Sequence, residues 1–239
     1  MEILLTIVVL VAVYLSFAIS ASAGLGGSLL LVPTLALFLG TKEGVALAAL
    51  LLASNNVAKI YAYRRTLPFR KAAPIILLIM IGAAIGSALL VRASTVLVTV
   101  AVIVMFATTM IAERLKLEAF RTGFAPLLAF VSGASSGFSG TSGPLKGAAI
   151  RNLDLDRQHF VGAASLASFA GDATKAAIFT DAQLLGTSSL VTAAAAVPLM
   201  ILGTWTGSTF NKRTSERSFA ILFWSVMCGY TVRLGVFLF

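Results

Sequence analysis

The chain is expected to be an all-α integral membrane protein: two inverted five-helix repeats with short broken helices at two glycine-rich turns. Three observations predict this. The 239-residue sequence is 59% hydrophobic and 11% charged, with a mean hydropathy of +0.98. Its apolar runs recur at lengths of roughly 20 residues, enough to span hydrocarbon about 30 Å thick. Short motifs also recur in the same order in both halves.

Ten apolar segments follow in order: 3–20, 27–40, 44–62, 71–91, 94–112, 121–136, 143–150, 159–179, 185–209 and 217–238. The first begins after Met1-Glu2, which supplies no basic n-region, so it reads as a retained helix rather than a cleaved leader. The second and seventh are too short to span comfortably and open on Gly, Ser and Thr. Interrupted backbone survives at membrane depth only where protein or a wet cavity covers it. The third and eighth are long and apolar, yet each carries a lysine, Lys59 or Lys175. The fourth and ninth contain Pro74 and Pro198, which start or kink a helix. They also contain Gly82-x-x-x-Gly86 and Gly203-x-x-x-Gly207, a spacing that lets helices approach closely in lipid. The tenth ends near Arg233, a residue suited to anchoring at the interface.

Charge sets the expected topology. If all ten segments cross, the loops 63–71, 113–121, 151–158 and 211–217 share one side and collect twelve basic residues. The opposite loops hold Lys42 and Arg92. Eight crossings would split the basic loops between both faces, which the positive-inside rule disfavours. Ten crossings put both termini outside the cytoplasm. This rule also accounts for the net charge of +9, so a nucleic-acid partner is not expected. One cysteine, Cys228, allows no internal disulfide, and one histidine, His159, builds no metal cluster. No cofactor, metal or catalytic centre is expected.

The repeat is read from matched positions. Gly24-Leu25-Gly26-Gly27 corresponds to Gly137-Phe138-Ser139-Gly140 at an offset of 113, Lys59 to Lys175 at 116, and Gly82 to Gly203 at 121. The order is kept and the offset creeps upward, as in diverged copies. Residues 1–239 thus form a single transmembrane domain whose halves, 1–120 and 121–239, divide near residue 120. Five crossings per half oblige the two copies to face opposite ways.

The candidate binding residues cluster in the same places. Residues 20–28 and 133–144 are glycine-rich turns that feed new helices, and a helix start offers free amides and a positive dipole end to an anion. The alternative is that these glycines only permit a tight helical hairpin. The turns contribute Gly26, Gly27 and Ser28, and Gly140, Thr141, Ser142 and Gly143. Asn56 precedes Lys59 by three positions and Asp172 precedes Lys175 by three, so each pair shares one helix face. The lysines either add charge to an anion cage or snorkel to the interface. Asp172 either pairs with Lys175 or is a proton-coupling carboxylate. Asn55 and Asn56, with Ser165 and Ser168 on the matching helix, either donate to oxyanions or bond neighbouring helices. Lys146, near Thr141 and Ser142, points charge toward the second turn or snorkels. His159 reads as an interfacial residue.

The Gly24-Leu25-Gly26-Gly27-Ser28 turn followed by Pro33, its echo from Gly137 to Pro144, and the two-fold layout over nearly all 239 residues resemble the TauE/SafE family. The resemblance implies a multi-pass bacterial inner-membrane permease exporting sulfite or organosulfonates such as sulfoacetate. In the first half Ser28 replaces the last glycine of the family's Gly-x-Gly-Gly-Gly pattern. In the second half Ser139, Thr141 and Ser142 stand in the glycine run, and their hydroxyls change what the turn can bind. The expected partners are a small anion and membrane lipids, with a second copy of the chain as a further candidate. Two rival readings remain: a non-transporting membrane subunit, favoured by the small-residue helix surfaces, and a metal-cation permease, which would need inward-facing His, Cys or acidic clusters.

Overall fold

The computed structural model describes residues 2–23, 27–114, 124–142 and 145–210. Among them nine helices follow one another: α1 (Glu2–Ala23), α2 (Ser28–Leu39), α3 (Thr41–Ala62), α4 (Phe69–Arg92), α5 (Thr95–Arg114), α6 (Ala125–Ser139), α7 (Leu145–Arg151), α8 (Arg157–Asp181) and α9 (Thr187–Phe210). The described residues contain no strand. The segment 217–238, together with Gly26 and Gly143, lies outside the described residues.

Each helix lies over one predicted apolar segment, because in these runs only an intrasegment ladder satisfies the backbone. Three are long and apolar enough to cross a membrane: Thr41–Ala62, Phe69–Arg92 and Ser189–Gly207. The two short segments are short helices. α2 has 12 residues and α7 has seven, or roughly 18 Å and 10 Å against a core of about 30 Å. α2 is buried continuously from Leu29 to Ala36, including Pro33 inside the helix.

The outward surfaces are apolar too. α4 leaves Leu77, Ile81, Ile85 and Leu89 exposed, α1 leaves Leu4, Ile7, Val11 and Leu15, and α9 leaves Val191, Ile201 and Trp205. Apolar stripes of this extent on several helices are what lipid, rather than water, solvates. The chain is a multi-pass membrane protein.

The helices form two compact units. One takes residues 1–51 and 183–239, the other 52–182, so α3 contributes to both. In the first unit α1 packs on α9 and α2. In the second, α4 packs on α6 and α8, and α7 on α6 and α8. The second unit's core joins Ala72, Ile75 and Ile79 of α4 to Ala129 of α6, Ala149 and Ile150 of α7, and Ala163 and Ala167 of α8.

One contact occurs once in each unit. In the second, a Cβ on Gly82 or Gly86 of α4 would strike the Phe130 or Ala134 carbonyl of α6. In the first, a Cβ on Gly203 or Gly207 of α9 would strike the Tyr14 or Ala18 carbonyl of α1. Gly82 corresponds to Gly203 and Gly86 to Gly207; Tyr14 and Ala18 correspond to Phe130 and Ala134 at the offset that relates Lys59 to Lys175. The spacing read from sequence as a packing device packs backbone on backbone.

Candidate functional site

The site is built on α8. Its entry is fixed by Asp156, whose carboxylate accepts from the amides of Gln158 (2.9 Å) and His159 (3.0 Å). The His159 ring lies 2.6 Å from the same carboxylate, so this histidine belongs to a helix cap. The His159 amide, then its ring, hold the Asp156 carboxyl below the usual carboxylate range.

Farther along α8, Asp172 and Lys175 face the interior one turn apart. Lys175 is 1% exposed and Asp172 8%. Lys175 Nζ lies 2.6 Å from Asp172 Oδ1 and donates to Ser136 Oγ of α6 at 2.9 Å. Asn56 Nδ2 of α3 donates to Asp172 Oδ2 at 2.8 Å. Both carboxylate oxygens are therefore engaged, one by an ammonium and one by an amide. Lys59, one turn beyond Asn56, and Lys146 on α7 both lie within electrostatic reach of Asp172, and Lys146 also of Lys175 and Lys59.

The lysines differ in setting. Lys175 is enclosed and does not snorkel. Lys146 is half-buried, and Lys59 is exposed, so the cluster is closed around Lys175 and open at Lys59. Asn55, beside Asn56, is buried, as are Thr141 and Ser142 after α6.

The glycine-rich run 133–144 ends α6 in a specific way. Gly140 has φ +82°, and its amide donates to the Ser136 carbonyl at 2.9 Å. That amide closes α6 and is committed to the helix end, so its contribution is a left-handed turn that a Cβ would strain. The Ser139 hydroxyl is likewise taken up by the carbonyls of Ser135 (2.8 Å) and Thr141 (3.3 Å). Ser165 bonds the Val161 carbonyl of its own helix at 2.8 Å. Gly27 and Ser28, half-buried at the start of α2, belong to the first unit.

Of the residues expected at a site, Asn56, Asp172 and Lys175 come together, with Lys59 and Lys146 within electrostatic range of Asp172. Ser136 was not singled out in the sequence. The signal for it was weak: one hydroxyl among four serines in the run, with its partner 39 positions away. An open recess of about 600 Å³ lined by Arg70, Lys71, Asp154 and His159 contains no residue of the cluster.

Ionisable groups brought together on helices whose outer faces are apolar line a pathway or binding cavity more often than they serve as mere anchors, and ammonium groups in such a place can attract a small anion. A family model described as Sulfite exporter TauE/SafE matches residues 8–234 of the chain. No curated protein and no solved structure matches it.

Proposed function

Since the chain belongs to the sulfite exporter TauE/SafE family, we propose that it is a secondary transporter exporting small sulfur-containing oxyanions, such as sulfite, sulfoacetate or another short sulfonate, across the bacterial inner membrane. The observation that carries this reading is the buried pair of Asp172 and Lys175, tied to Asn56 and Ser136 between apolar-faced helices. Charges are costly in hydrocarbon and are kept there for passage or binding. An arrangement with an excess of ammonium groups is neutralised by an anion from outside. Asp172 and Ser136 hold Lys175, and Asn56 holds Asp172. In this reading an entering oxyanion meets the exposed Lys59 first.

Two copies of a five-helix unit, divided near residue 120 and facing opposite ways, complete the proposal. The matched glycine contacts of α4 on α6 and of α9 on α1 support duplication. The twelve basic residues in alternate loops support ten crossings with those loops in the cytoplasm. Alternating access then rocks one part of the protein against another around a fixed site. The membrane potential alone favours exit of a monoanion by about 2.3 kcal/mol per 100 mV.

The test is flux. Full-length protein in sealed proteoliposomes loaded with sulfite or sulfoacetate should release them faster than protein-free vesicles. Release at the protein-free rate for every anion of a broad sulfur-oxyanion panel would leave a non-transporting subunit as the better description.

A further inference from the structure

The end of α3 carries basic residues that the oxyanion reading does not use. Residues 63–71, which join α3 to α4, hold Arg64, Arg65, Arg70 and Lys71. Two open recesses adjoin this connection, and their charges differ. The one lined by Arg70 and Lys71 is also lined by Asp154 and Asp156, so cations and acids balance there. The other, of about 660 Å³, lies between the end of α3 and the start of α8. Arg64 and Arg65 line it with Tyr63, Thr66 and Gln158, and no acid lines it among the described residues. We propose that this second recess binds the phosphate of an anionic phospholipid.

The turn that presents the two arginines is held by its own hydrogen bonds. The amides of Tyr63 and Thr66 donate to the carbonyls of Lys59 (3.0 Å) and Tyr63 (2.8 Å). The Thr66 hydroxyl adds a second bond to the Tyr63 carbonyl at 3.1 Å. Arg64 is oriented as well: its Nη1 donates to the Tyr61 carbonyl at 3.1 Å, and its guanidinium lies 4.4 Å from the centre of the Tyr61 ring. A guanidinium carries five N–H donors in a planar fork, so one such bond leaves the rest for a phosphate. Arg65 is exposed beside it. A lipid, rather than a soluble anion, follows from the surface that adjoins the recess. Tyr61 is 68% exposed and Val57 52%. At spacings of four and three residues, Val57, Tyr61 and Arg64 run along one face of α3 and its closing turn. That face passes from apolar to aromatic to cationic, the order in which a leaflet passes from acyl chain to interface to phosphate. On the ten-crossing plan proposed above the turn faces the cytoplasm, where anionic headgroups attract clustered arginines.

The experiment is native mass spectrometry of the full chain in a neutral detergent, with phosphatidylglycerol and phosphatidylcholine as probes. Phosphatidylglycerol should bind at least about tenfold more tightly than phosphatidylcholine. Arg64→Gln with Arg65→Gln should bring the two lipids to near parity. Arg70→Gln with Lys71→Gln, in the charge-balanced recess, should leave the preference in place. Should the first pair lose its melting transition, Arg65→Gln alone should shrink the preference several-fold. Equal affinity of the unaltered chain for the two lipids would overturn the proposal, as would a preference undiminished without the two arginines. An equal loss in both double variants would overturn it too, by pointing to diffuse surface charge. Displacement of phosphatidylglycerol by inorganic phosphate at millimolar concentration would give the recess to a soluble anion and overturn the lipid assignment. None of these results bears on the oxyanion reading, which the flux measurement tests separately.

Discussion

At the residue scale the decisive pair is Asp172 and Lys175. Their pairing was legible in the sequence, because an acid three positions before a base on a helix has few other places to go. What they meet was not, since Asn56 is 116 positions from Asp172 and Ser136 is 39 from Lys175. Contacts of that range follow from helix packing, which no local pattern encodes. The sequence left open whether Lys175 snorkels, and burial to 1% answers it. Removing one partner of a buried ion pair strands the other. Lys175→Ala should therefore lower stability by about 3–5 kcal/mol, and Lys175→Gln with Asp172→Asn should recover most of that, both read from unfolding in detergent. Asp172→Asn alone adds one positive charge to the site and should raise anion affinity by about tenfold; unchanged or weaker binding would remove Asp172 from the site's electrostatics. A milder pH effect belongs to Asp156. Its carboxyl titrates lower folded than unfolded, so the cap stabilises α8 fully above the ordinary carboxylate range. The contribution fades as pH falls through the lowered value. Protection factors of the Gln158 and His159 amides, with the intrinsic pH dependence of exchange divided out, should fall over that acid interval and stay flat above it.

At the element scale the helices were readable almost to their ends. The predicted 27–40 is α2 at Ser28–Leu39, and the predicted 143–150 is α7 at Leu145–Arg151. Apolar length and glycine punctuation suffice for that, because backbone in lipid has few alternatives. The function of the glycine turns was less readable. The second was read either as aiming free amides at a ligand or as permitting a tight hairpin; the Gly140 amide closes α6 and the Ser139 hydroxyl bonds backbone, while Gly143 lies outside the described residues. Sequence shows that a turn is permitted, not which amides it leaves over. The small-residue pairs make a sharper prediction. Gly82→Leu forces a side chain into the Phe130 carbonyl and Gly203→Leu into that of Tyr14. Each should cost at least about 1–3 kcal/mol, and by similar amounts, because the surroundings are repeated. Thermal unfolding of the two variants side by side checks this, and a loss confined to one would contradict the equivalence of the contacts.

At the scale of the whole molecule, both repeated contacts join residues from opposite sides of position 120: α4 meets α6, and α1 meets α9. The motif offsets announced duplication in the sequence, but nothing in them said that a helix of one copy would pair with a helix of the other. On the two-copy plan proposed above, neither half can bury its glycine face alone. Residues 1–120 and 121–239 expressed as separate chains should each fail to give a folded species, and should co-purify as one folded complex when expressed together. Independent folding of either half would refute this.

The backbone-on-backbone seams also bear on origins. If each copy descends from one gene, its half-length product had nothing of its own to close against and depended on meeting a sister molecule in the bilayer. Fusion turned that encounter into an intramolecular one at high effective concentration. It also freed each copy to change alone, so one lineage position could become Asn56 and the other Asp172, a neutral amide and an acid hydrogen-bonded to each other. A strictly symmetric ancestor would have set two identical groups face to face there, and only after joining could the protein hold a single negative charge at that point.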